Sequence, residues 1–390
     1  MNRIPTRGRA ALLAAGLLLA GAEGSAQTLF SLEDVRGDDD GGESLIYPNR
    51  QDLQKGDLDL VRFSAEHRSD GVWFVAEMAQ PIRSPVGQVT EVGQVPLDRL
   101  ARNGFYTFNL DVYVDTDRIA GLGEIDALPG REVTIDRQFA WEKCIVLTPR
   151  PDAAQTMLQL YFDRVFEAEL RAKQGKVSKT ELGVLESKSE ALLNERYFFP
   201  TRVRVSGRKV EFLVPTEFLG GVPAESWAYT VLVTGADLEQ ASKPGQANPD
   251  KATMMAMGLG AGIRSDLWGI RSDTDAGVAP IIDLLAAGPD TQPTVLADYD
   301  TVAGRLPAVP GIAVDGKAAV AASGVQLTME QAARLDAATT GGSTETAAAP
   351  STTERRAVPA RLRTLNQLRD DGLITEAEYD ELRRKILADL

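Results

Sequence analysis

The feature that most constrains this chain is the run FNLDVYVD from Phe108 to Asp115, in which Phe108, Leu110, Val112 and Val114 alternate with Asn109, Asp111, Tyr113 and Asp115. Apolar residues at every second position suit a β-strand, whose successive side chains point to opposite sides of a sheet. The alternation predicts a half-buried strand with Asp111, Tyr113 and Asp115 on one polar face. Asp117, Gly121 and Gly123 then make a polar, glycine-rich turn before Leu128-Pro129-Gly130-Arg131. Such a junction of strand and loop can hold a cation, bind a ligand or simply turn the chain.

Similar short runs occur from Leu58 to Phe63, Val72 to Met78, Val133 to Arg137, Trp141 to Leu147, Arg202 to Val205, Lys209 to Val214 and Trp227 to Val233. Turn signals such as Ser69-Asp70-Gly71 and Ser206-Gly207-Arg208 favour hairpins between antiparallel neighbours. The sum predicts a mainly β fold, an antiparallel β-sandwich. Between Ala153 and Asn194 the period changes: Leu158, Tyr161, Phe162, Val165, Phe166 and Leu170 recur at helical spacing, followed by Leu182, Leu185 and Leu192. This reads as a helical hairpin inserted in the sandwich, residues 153–194, whose apolar stripe is its packing face or, if exposed, a partner surface.

The ends differ from the middle. Arg3, Arg7 and Arg9 precede an apolar run from Ala10 to Ala22 and then Gly24-Ser25-Ala26, the pattern of a secretory signal peptide over residues 1–26. Export is therefore expected. The run is shorter than a membrane span, and no later stretch has about eighteen uninterrupted apolar residues. The module proper is expected over 27–312, a flexible linker rich in Ala, Thr, Gly and Ser over 313–358, and a two-helix hairpin over 359–390. In that last segment Leu362, Leu365 and Leu368 precede Asp371-Gly372, and Thr375 with Glu378 forms a capping box ahead of Tyr379, Leu382, Ile386 and Leu387. So small a hairpin must dock or self-associate, which makes a homo-oligomer or a protein partner the expectation.

Charge narrows the partners. A formal net charge of -14 argues against nucleic acid, which needs clustered lysine and arginine, and suits a cation. Cys144, the single cysteine, has no internal partner for a disulfide and is expected buried and inert. Calcium uses several oxygen ligands and tolerates irregular loops, so Asp38, Asp40, Asp115 and Asp117 are its candidate ligands. An EF-hand starting at Asp115 is rejected, because Ile119 and Ala120 stand where an oxygen donor and a glycine belong. The opposing reading is that these aspartates cap turns. Asp111, Tyr113 and Trp141 are the candidate ligand-binding residues, Tyr113 offering a ring face for a sugar beside two carboxylates. His67, the only histidine, cannot build a three-histidine zinc site, and no nucleophile elbow, phosphate loop or dinucleotide fingerprint occurs.

Two resemblances join these segments. Arg36-Gly37-Asp38-Asp39-Asp40-Gly41, Ile46-Tyr47-Pro48, Lys55-Gly56-Asp57-Leu58-Asp59-Leu60, Asp111-x-Tyr113-x-Asp115-x-Asp117, Leu128-Pro129-Gly130-Arg131, Ala140-Trp141, Trp227-x-Tyr229-x-Val231 and Ile281-Ile282-Asp283-Leu284-Leu285 together resemble the C-terminal module of glucodextranase. That resemblance implies a β-sandwich related to DOMON and family-nine carbohydrate-binding modules, with a role like that of surface-layer-homology modules at the cell envelope. The tail, Leu365-x-x-Leu368-x-x-x-Gly372-Leu373-Ile374-Thr375-x-x-Glu378-Tyr379, is similar to the short C-terminal domain called SHOCT, which implies an interaction hairpin. The expectation is an exported, non-catalytic module for carbohydrate or cell-envelope material, with a protein-interaction scaffold lacking a sugar site as the competing reading.

Overall fold

The computed structural model describes residues 27–88, 91–92, 94–239, 254–261, 267–271 and 277–321. The expected signal peptide, most of the expected linker and the C-terminal hairpin lie outside the described residues.

Two sheets face each other. The first runs in the order Gln27–Glu33, Leu60–Arg68, Gly71–Met78, Lys209–Val214, Val203–Ser206, every pair antiparallel. Its two tight hairpins stand where the turn residues predict them. Arg68 pairs with Gly71 across Ser69-Asp70, and Ser206 with Lys209 across Gly207-Arg208. Gly207 takes a φ of 60°, left-handed backbone that a side chain disfavours. The second sheet runs Tyr197–Phe198, Lys143–Leu147, Phe108–Asp115, Ala228–Gly235, Asp283–Leu284, with Ile312–Ala313 also against Ala228–Gly235. Only the pairing of Tyr197–Phe198 with Lys143–Leu147 is parallel in this sheet.

Between the sheets lies a core of Phe63, Phe74 and Phe212 from the first and Leu110, Val112, Tyr229 and Val231 from the second. Those are the apolar sides of the alternating runs, so register follows pattern. On the outer side of the second sheet a separate cluster joins Tyr113, Cys144, Val146 and Leu232 to Met157, Leu158 and Leu193 of the helical insert and to Ile281 and Leu284. The strand Phe108–Asp115 is consequently buried along its whole length, where its alternation predicts burial on one side only. A second layer, recruited from residues far along the chain, covers its polar face.

The insert consists of helices Pro151–Gln174 and Lys179–Arg196. Pro151 opens the first helix at a position whose N–H needs no partner, and Gly175, at φ 80°, ends it. Ser178 begins the second with a capping box: its hydroxyl accepts from the Glu181 N–H while the Glu181 carboxylate accepts from the Ser178 N–H. The base of the hairpin, Ala153, Ala154, Met157, Leu158 and Leu193, is buried, whereas Val184 near the far end is 65% exposed. Little packing holds that end, so its stability is local. Ser178→Ala is expected to raise amide exchange in the first turn of Lys179–Arg196 roughly fivefold, as loss of an N-cap does. Exchange in Phe108–Asp115 should stay unchanged in the same hydrogen-exchange measurement.

Candidate functional site

The polar face of Phe108–Asp115 is a buried clasp. Asp111 and Arg131 are both fully buried, with the Arg131 Nε 2.5 Å and Nη2 3.1 Å from the two carboxylate oxygens. Arg131 Nη1 also donates to the Met254 carbonyl at 3.1 Å. The Tyr113 hydroxyl accepts from the Leu128 N–H at 2.8 Å, and Trp141 Nε1 donates to the Asp126 carbonyl at 3.1 Å. Burial pushes the Tyr113 hydroxyl and the Cys144 thiol well above their usual pKa values. Asp111, Tyr113 and Trp141 thus tie the loop 126–131 to the sheet, with Tyr113 and Trp141 1% exposed each. They present no ring or carboxylate to solvent, because the insert and the segment around Met254 lie over them.

The four aspartates singled out as cation ligands separate. Asp40 accepts from Lys55 Nζ at 2.7 Å and from the Glu43 N–H at 2.8 Å. Asp115 is held by Arg118 through both its backbone N–H and its guanidinium, each at 2.7 Å, and Asp117 accepts from the Ile119 N–H at 2.9 Å. The bonds from the Glu43, Arg118 and Ile119 N–H groups are turn contacts of the kind the opposing reading foresees, and Lys55 and Arg118 add ion pairs. Asp115 and Asp117 also share a group with Glu142, whose pKa is pushed up to about 8, first by burial and then by the Asp117 charge. Arg118 already balances Asp115, which leaves that group with a counter-charge.

Asp38 belongs elsewhere. Its carboxylate meets those of Asp59 and Asp283, all within 4.8 Å of one another, and Asp34 stands beside them. Three distant segments converge here: the loop after Gln27–Glu33, the entry to Leu60–Arg68, and the edge strand Asp283–Leu284. Backbone donors from neighbouring residues fix three of the four acids. Asp34 Oδ1 accepts from Val35 and Ala286, Asp59 Oδ2 from Gly37, and the two oxygens of Asp283 from Leu284 and Leu60. Left without a hydrogen-bond partner are Asp34 Oδ2, Asp59 Oδ1 and both oxygens of Asp38. Burial, the largest cause, pushes Asp34 up to about 8 and Asp38 up to about 6, with neighbouring carboxylates adding to both, and raises Asp59 and Asp283 as well. Asp59 and Asp283 escape a search for loop clusters because each sits inside an apolar run. The signal that could have found Asp59 and Asp283 is an acid flanked on both sides by Leu or Ile.

One sheet face remains open. With the second sheet covered, the outer side of the first is the broad strand surface facing solvent among the described residues. Trp73 lies at its centre but is only 1% exposed: its Nε1 donates to Asp70 at 2.9 Å, and the guanidiniums of Arg204, Arg68 and Arg202 cover it, at 4.5, 4.8 and 5.6 Å from its ring centroid. Arg68 is paired with Glu66 and Glu211, and Arg202 with Asp70. Arg204 is exposed and makes no hydrogen bond or ion pair among the described residues. Its donors are free for a ligand, whereas the Trp73 ring beneath offers no face to solvent.

A family model described as the C-terminal binding-module, SLH-like, of glucodextranase matches residues 29–310, and one described as the short C-terminal domain, SHOCT, matches residues 360–387. A search of curated proteins returns no match. The first match spans both sheets and the insert, and it is to a binding module, not to a catalytic domain. No described helix is long and apolar enough to cross a membrane.

Proposed function

Because the chain belongs to the family of the SLH-like C-terminal binding module of glucodextranase, we propose that it is an exported, non-catalytic module that holds carbohydrate or another cell-envelope polymer against the outer face of its five-stranded sheet. The observation that carries the reading is the extent of the match, which takes in the whole sandwich. The contact surface follows from burial: one sheet is covered on both sides, so the charged outer face of the other, around the exposed Arg204, is where a polymer can lie. Hydroxyl, carboxylate or phosphate groups suit the Arg204 fork. The SHOCT match supports a C-terminal hairpin that links copies of the chain or joins it to another protein.

Retention of the full-length protein on insoluble glucan or on peptidoglycan tests this. Binding is expected to at least one polymer, and Arg204→Ala, a change at an exposed side chain, is expected to weaken it about tenfold. Absence of retention on every polymer would overturn the reading, and full retention by the variant would move the contact surface off this face.

A further inference from the structure

We propose that Asp38, Asp59 and Asp283, with Asp34 beside them, form a binding site for a single calcium ion that joins the two sheets at one edge. The first support is geometric. Oxygens of three side chains lie within 4.8 Å of one another, and ligands on opposite sides of a calcium ion, at about 2.3–2.6 Å each, are about 4.6–5.2 Å apart. Magnesium, at about 2.0–2.1 Å, draws its ligands closer and holds several waters instead of a protein cage. The donors are all oxygen, with no histidine or cysteine in the group, which selects a hard cation over zinc or copper.

The second support is the state of the side chains. Asp59 is 2% exposed and its Oδ1 has no partner, although its Oδ2 is satisfied by the Gly37 N–H. Each of Asp34 and Asp59 therefore uses one oxygen on the backbone and leaves the other buried without a partner. Asp38 spends neither oxygen on the protein. Buried polar atoms are almost always paired, so several together mark a missing counter-charge. Arg36 and Lys55 are the cationic side chains felt by Asp59, but Lys55 Nζ is bonded to Asp40 and neither reaches the unpartnered oxygens. Like charges at such separations repel strongly in a partly buried site, and one divalent ion would relieve all of them together.

The site ties the loop after the first strand to both sheets, so calcium should act on stability. Full-length protein stripped with EDTA is to be titrated with calcium by calorimetry and by thermal melting. The expected results are one equivalent bound and a melting temperature that climbs with each tenfold increase in calcium, because the ion binds the native state alone. Asp38→Asn removes no hydrogen bond to another residue and should fold, yet abolish the climb. Asp117→Asn, in the other acidic group, should leave it intact. A melting temperature indifferent to millimolar calcium would overturn the proposal, as would an unchanged response in Asp38→Asn or a lost one in Asp117→Asn. An equal response to magnesium would overturn the assignment to calcium.

Discussion

Replacing Arg131 by methionine is expected to destabilise the protein by about 3–5 kcal/mol, the usual cost of leaving a buried charge without its partner. Both Asp111 and Arg131 are fully buried, and among the described residues their bidentate contact is the side-chain charge balance that Asp111 has. Removing the guanidinium strands a carboxylate among Tyr113, Cys144 and Leu232, and also releases the Met254 carbonyl. The pair itself contributes much less than its rupture costs, since two charges must leave water to form it. Asp111→Leu combined with Arg131→Met should therefore recover most of the loss. Urea denaturation of the two single variants and the double variant measures this directly. A loss below about 1 kcal/mol in Arg131→Met would show that Asp111 finds water or a proton instead.

Phe74→Ala should cost a comparable amount, about 3–5 kcal/mol, for a different reason. The Phe74 ring sits at the middle of the core between the sheets, with centroids of Phe63, Phe212, Tyr229 and Phe30 at 5.6, 5.7, 6.1 and 6.3 Å. Those rings belong to four strands whose backbones are fixed by ladder hydrogen bonds, so they cannot close over the hole. Phe74→Leu, which fills most of the volume, should cost less than half as much in the same denaturation experiment. Because Phe74 and Arg131 lie on opposite sides of the second sheet and share no partner, their losses should add to within about 0.5 kcal/mol in a combined variant.

Alternation identified the sheet-forming runs, because a strand with one side in the core repeats every two residues whatever its neighbours are, and turn residues identified the two hairpins. Helical spacing likewise located the insert, whose helices begin and end within two residues of the expected 153–194. The same alternation misjudged the face of Phe108–Asp115. A polar residue reads as exposed in a sequence, yet Asp111 is sheltered by an arginine twenty positions away that no periodicity connects to it. Candidate acids divided in the same way. Asp38 was visible as part of a run of aspartates, whereas Asp59 and Asp283 were hidden by the apolar residues around them.

What the sequence by itself determined is the set of strands, the helical insert, the sides of each strand that face the core, and the family to which residues 29–310 belong. Only the tertiary structure decided which charges meet. Hydrophobic burial is collective and leaves a periodic trace in every element, so it can be read locally. Electrostatic pairing depends on which segments the fold brings within a few ångströms, and Asp38, Asp59 and Asp283 come together only once two sheets have closed over one another.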